Sequence, residues 1–161
     1  MKFLTSTTAL TLMLATLAAP AFANSSVTVK LWDKGGTMDM SKNMGMGMGM
    51  HGNMTMAVMG IKATPAVLPQ GKVTFKVTNI STTIIHEMLV APIANAAAVL
   101  PFIEAENRAD ETKAGDLGEV SELDPGKSGE LSIVLKPGLY ILFCNVPGHY
   151  AAGMWTTVTV K

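Results

Sequence analysis

The stretch that decides the reading is Cys144-Asn-Val-Pro-Gly-His149-Tyr-Ala-Ala-Gly-Met154. It brings together a thiol, an imidazole and a thioether. Four residues separate Cys144 from His149, and four separate His149 from Met154. Pro147-Gly148 and Gly153 supply the bends, so the chain leaves one strand end through two tight turns and rejoins a strand at Trp155. A loop this short can wrap one ion at little closure entropy, because few residues need ordering. Soft sulfur suits Cu(I) and imidazole suits both oxidation states of copper. Cysteine plus two histidines with a weak axial methionine is the trigonal copper set. The loop supplies one histidine, so a second is needed. His86 lies in an apolar run ahead of Met88, and His51 lies in an irregular segment.

Composition narrows the alternatives. The chain has 161 residues, 12 basic against 12 acidic, and 15% charged residues. That is one domain's worth, with enough chain for a hydrophobic core. A net charge near zero provides no basic field for a polyphosphate backbone, so no nucleic-acid partner is expected. The single cysteine excludes an internal disulfide, a four-cysteine zinc site, a cysteine-ligated iron–sulfur cluster and a two-cysteine binuclear copper site. Three histidines leave no ligands for a second, histidine-rich copper site of the kind a multi-copper oxidase or nitrite reductase needs. No enzyme activity is therefore expected.

Residues 1–23 read as a secretory signal peptide. Lys2 is their only charge, Leu10–Leu17 is a short apolar run, and Ala21-Phe22-Ala23 is a small-x-small cleavage site. The run is too short for a membrane span, and no cysteine near the cleavage point invites a lipid anchor. A soluble periplasmic protein is expected, monomeric and without a membrane anchor. In an oxidising compartment a lone thiol is a liability unless buried or bound to metal.

Residues 24–161 read as one mostly-β domain. Val27, Val29 and Leu31 alternate with polar neighbours, as do Val73, Phe75 and Val77; Leu131, Ile133 and Leu135; and Val158 and Val160. Period two with one polar face is the signature of half-buried antiparallel strands. Pro/Gly turns separate them at Leu68–Gly71, Asp124–Lys127 and Lys136–Gly138. Thr83–Val90 and Leu139–Cys144 are more continuously apolar and are expected to be more buried. Short strands between such turns argue for a β-sandwich or barrel. The Ala/Leu-rich start of residues 91–124 reads as a short helical insertion around 93–113, interrupted at Pro101. Between 104 and 130 the chain carries nine acidic residues against Arg108, Lys113 and Lys127.

At the Cys-x4-His-x4-Met loop the chain resembles the cupredoxins, the plastocyanin–azurin family of small blue copper proteins. The four-and-four spacing is most similar to rusticyanin, sulfocyanin and auracyanin. The resemblance implies an eight-stranded Greek-key sandwich, one type 1 copper ion, and the ligands His86, Cys144, His149 and Met154. It also implies one-electron transfer to a redox partner such as a cytochrome or oxidase, with the edge of His149 as the exit. Pro147, Ala151 and Ala152 would ring that edge as an apolar docking patch for brief encounters. One departure is Glu87, where azurin and plastocyanin carry an asparagine that supports the cysteine loop. Outer partners of this kind tune a metal site.

A second feature is the density of methionine between 38 and 59. Met38, Met40, Met44, Met46, Met48, Met50, Met54, Met56 and Met59 are nine of the 13 in the chain. Alternation with glycine denies a strand or helix reading. Residues 33–55 are therefore expected to form a flexible Met-rich loop. Thioethers favour Cu(I) and carry no proton to displace. Met38, Met40, Met44, Met46, Met48, Met50, His51 and Met54 are thus a candidate secondary Cu(I) site. That suggests an alternative role in copper tolerance or homeostasis, with a copper-handling protein as partner.

Overall fold

The computed structural model describes residues 23–35 and 57–161. The expected signal segment, up to residue 22, and residues 36–56 of the Met-rich tract lie outside the described residues. Among the described residues eleven strands run in chain order: β1 (Ala23–Asp33), β2 (Met59–Thr64), β3 (Val67–Leu68), β4 (Gly71–Asn79), β5 (His86–Ile93), β6 (Phe102–Ile103), β7 (Arg108–Ala109), β8 (Glu119–Leu123), β9 (Ser128–Leu135), β10 (Gly138–Phe143) and β11 (Trp155–Val160).

Nine of these build two facing sheets, with orders β2-β1-β4-β9 and β3-β11-β10-β5-β8. The chain crosses between the sheets at β2–β3, β3–β4, β4–β5, β8–β9 and β9–β10. The alternating residues do what their period requires. Val27, Val29 and Leu31 on β1 and Val73, Phe75 and Val77 on β4 are wholly buried, and their polar neighbours face outward. They meet Met88, Val90, Tyr140, Leu142, Val158 and Val160 from the other sheet in one core. Each such large apolar side chain contributes roughly 1.5–3 kcal/mol on burial.

Pairing direction corrects one expectation. β1 pairs parallel with β4, and β11 pairs parallel with β3, so the sheets are mixed. Period-two alternation reports which face is buried and carries no information on strand direction. The strand number also exceeds the eight that the resemblance implies, through the two-residue β3 and the separate β6–β7 ribbon.

The insertion explains the continuously apolar strands. It holds a 3-10 turn over Glu104–Glu106, a single helical turn over Glu111–Ala114 (α1), and the β6–β7 ribbon. It covers the outer face of β5 and β10. There Leu100, Ala109 and Ala114 bury Leu89, Ala91, Ile141 and Phe143 in a second cluster. β5 and β10 are therefore buried on both faces, which removes any reason to alternate. α1 is closed at its start by Asp110, whose carboxylate accepts from the Lys113 amide, satisfying one orphan donor.

Candidate metal centre

β10 and β11 form a hairpin whose last pair is Phe143 with Trp155. Cys144–Met154 is the connection, at one end of the sandwich. The Cys144 amide donates to the Met154 carbonyl at 3.0 Å, extending the ladder by one rung. His149 N donates to Val146 O at 2.9 Å and Met154 N to His149 O at 3.0 Å, closing two successive turns. Gly148 and Gly153 take φ of +84° and +95°, a region costly for residues with a Cβ. Gly148 N also donates to Asn107 O at 2.7 Å, so the insertion pins the loop. The Tyr150 hydroxyl accepts from the Leu100 amide, and its ring lies edge-on to Phe143.

The remaining donor arrives from the strand beside β10. His86 opens β5 at the point where its register with β8 shifts. Its Nδ1 lies 3.2 Å from His149 Nδ1, and Cys144 Sγ lies 3.3 Å from the same His149 nitrogen. The ligand atoms of His86, Cys144 and His149 all fall within 4.8 Å of one another, and all three side chains are buried. The sequence-predicted trio is therefore brought together. Met154 is buried at the end of the loop, with its backbone bonded to both Cys144 and His149. His51 lies outside the described residues, as do Met38 to Met54.

Burial sets the protonation of the site. It pushes the Cys144 thiol up to about 12, against the partial relief of the Glu87 amide on its sulfur. Burial pushes His149 down to about 4, helped by the repulsion that two protonated rings side by side would feel. Burial lowers His86 as well, opposed by the Asp33 carboxylate at its far nitrogen. Each group is thus held neutral, as desolvation requires. Three lone pairs converge on a space sealed from water, and one soft cation displacing the thiol proton fits that donor set.

Glu87 ties the strand to the loop twice. Its amide donates to Cys144 Sγ at 3.5 Å, and its Oε1 accepts from the Asn145 amide at 3.0 Å. Burial, then the charges of Glu122 and Glu119, push its carboxyl up to about 7. The supporting asparagine of azurin and plastocyanin is thus answered here by a carboxyl. Asn145 reaches the other way. Its Oδ1 accepts from Ala109 N at 2.8 Å, and its Nδ2 donates to Ala109 O and to Glu111 Oε1.

Of the expected docking patch, only Pro147 is exposed. Ala151 and Ala152 are 3% and 2% exposed, a correction to the sequence reading. The amides of Ala152 and Gly153 bond back to Gly148 and Tyr150, which folds this turn inward. His149 itself is 7% exposed. Sequence reasoning also missed Asp33 and Asn145. The signal for Asp33 was present: it continues the Val27, Val29, Leu31 register and so places a carboxylate on the core-facing side of β1.

Comparison with known proteins agrees with this geometry at the level of fold. No protein-family model and no curated protein sequence matches the chain. Among solved structures, rusticyanin from Thiobacillus ferrooxidans aligns at 16% identity over 84% of this chain and 76% of its own, with a TM-score of 0.53. Reduced rusticyanin aligns at 16% identity over 84% of this chain and 78% of its own, with a TM-score of 0.52. A reduced auracyanin from Roseiflexus castenholzii aligns at 23% identity over 62% of this chain and 86% of its own, at 0.45, too low to bear on the fold. The chain has the cupredoxin fold, with the His86, Cys144 and His149 donors gathered at one end of it. Within that fold it is similar to rusticyanin over most of its length.

Proposed function

We propose that this protein is a blue, type 1 copper protein that carries single electrons, with His86, Cys144, His149 and Met154 as ligands. The observation that carries the reading is the set of three buried donor atoms within 4.8 Å of one another at the end of a cupredoxin sandwich. Copper held there supplies one-electron exchange between Cu(I) and Cu(II). The protein's part is to surrender the Cys144 proton, keep both imidazoles neutral, and hold the donors still. The hydrogen bonds closing the Cys144–Met154 loop, and the Glu87 bonds across to it, resist rearrangement when the charge changes. No general base or substrate pocket is required, so the reading is of a carrier and not of an enzyme. Electrons would leave through the His149 edge, beside exposed Pro147, to a redox partner. A lone thiol sealed by metal and the leader-like residues 1–23 favour the periplasm.

The test is titration of the metal-free protein with copper. One equivalent should produce an intense visible thiolate-to-copper band, bleached by reductant. A colourless copper complex defeats the reading.

A second reading, copper homeostasis, is favoured by where the Met-rich tract is anchored. Lys34 N donates to Val58 O at 2.8 Å, so both ends of the tract are held side by side. Asp33, where the expected loop begins, reaches His86, and Ala57, two residues past its end at 55, lies beside Gly153. Cu(I) captured on thioethers would be delivered next to the metal centre. Deleting residues 38–54 should remove Cu(I) equivalents beyond the first while sparing the blue band. Unchanged stoichiometry excludes this role.

A further inference from the structure

Asp33 closes β1 with a carboxylate whose side chain is 1% exposed, in a wall of the core otherwise made of Val27, Val29 and Leu31. Such a group is retained only if its oxygens are satisfied, and here the partners are specific. Oδ1 accepts from the Gly35 amide at 2.6 Å, and Oδ2 lies 3.3 Å from His86 Nε2. Ser81 stands near the carboxylate and helps to hold it below the usual carboxylate range. Ser81 is held in turn, because its oxygen accepts from the amides of Thr83 and Ile84. The carboxylate is thus held by the Gly35 amide, with a fixed Ser81 nearby, before it meets the imidazole.

An ionised carboxylate accepts hydrogen bonds and donates none. The nitrogen facing it must therefore carry the ring's proton. That leaves Nδ1 bare, and Nδ1 is the nitrogen that faces His149, itself in contact with Cys144 Sγ. A neutral imidazole has one proton to place, and Asp33 decides where. The same carboxylate puts a negative charge one ring away from the donors, where it favours the more positive state of a bound cation.

We propose that Asp33 is a positioning residue for the metal centre: it fixes His86 in the Nε2–H tautomer and biases the site toward the oxidised ion. The first half stands on the metal-free geometry. The second rests on the copper reading above.

The experiment has two arms. In the first, two-bond proton–nitrogen correlation spectra of the metal-free protein report the His86 tautomer. Wild type should show Nε2–H alone, while Asp33→Asn, whose amide can both donate and accept, should show both tautomers. A variant that keeps Nε2–H alone, or a wild type without it, overturns the proposal. In the second arm the reduction potential of the copper-loaded protein is measured. Asp33→Asn should raise the preference for Cu(I) over Cu(II) about tenfold, within the 10–100-fold scale of outer-partner effects. That is about 59 mV upward for one electron. An unchanged potential, with stability alone reduced, reassigns Asp33 to a purely structural role. Ser81→Ala, which loosens the carboxylate without removing it, should shift the potential in the same direction by less and serves if Asp33→Asn fails to fold. A protein that takes up no blue copper defeats the functional reading, and the tautomer spectra still decide the positioning claim.

Discussion

The Cys144–Met154 loop and the start of β5 supply the same cluster of donors in opposite ways. The loop holds its shape by bonds within itself: Cys144 to Met154, Met154 to His149, His149 to Val146. Its donors are neighbours in sequence, and two left-handed glycines make its turns. His86 has no such local support. It is placed by a strand pairing, by Glu87 bonding across to the loop, and by Asp33 from the other sheet. A self-closed loop fixes its ligands cheaply, and a strand ligand inherits its position from everything packed around it. The two halves should therefore respond differently to mutation.

The largest effect is expected from the loop's thiol. Cys144→Ser should abolish the intense visible band of the copper-loaded protein, as read by absorption spectroscopy. Glu87→Gln, on the strand side, should keep the band. Equal loss in both would erase the distinction between donor and support.

Next comes the bridge between the halves and the insertion. Asn145→Ala leaves the Ala109 amide and carbonyl without their partner, at a cost of about 2–3 kcal/mol. Urea unfolding should show a lower midpoint with an unchanged slope.

His149 in the loop and Glu87 on the strand carry opposite pH signs in the metal-free protein. His149 is held down to about 4 in the folded state, so it takes up a proton on unfolding. Its contribution is complete above the ordinary histidine value of 6.5 and is lost as pH falls toward about 4. Glu87 is raised from 4.5 to about 7, so it releases a proton on unfolding. Its contribution is complete below 4.5 and is lost as pH rises toward about 7. The two slopes oppose each other where the windows overlap. Glu87→Gln keeps an acceptor for the Asn145 amide and removes the second slope. It should stabilise the metal-free protein at pH 8 by on the order of 1–2 kcal/mol. It should also unmask a loss of stability on acidification, measurable by denaturation at several pH values. A flat profile in that variant would show that the two buried histidines are not held neutral.

The smallest effect tests the loop's own geometry. Gly153→Ala places a Cβ at φ +95° with only Ala57 nearby, at 3.8 Å. Space is adequate, so the cost is backbone strain alone, about 1 kcal/mol. Thermal unfolding should register it while the visible band keeps its position.

Much of this was legible in the chain. The alternation of Val27, Val29 and Leu31, and of Val73, Phe75 and Val77, located β1 and β4 with their buried faces. The β8 strand over Glu119–Leu123 was not legible, because its acidic residues read as solvated surface and only Val120 is buried. β3 was equally obscure, being two residues long. The parallel pairing of β1 with β4 could not be read either, since it depends on which segments meet, and alternation is blind to that.

At the metal centre, spacing alone set Cys144, His149 and Met154 in one loop, because eleven residues with two turns have few ways to close. Nothing local linked that loop to His86, 58 residues upstream of Cys144, or to Asp33 on the opposite sheet. Those meetings come from the register of β5 on β10 and from the closing of two sheets over one core. Sequence supplies donors and periods. The packed sandwich determines which nitrogen of His86 faces His149, because only there does a buried carboxylate stand behind the ring.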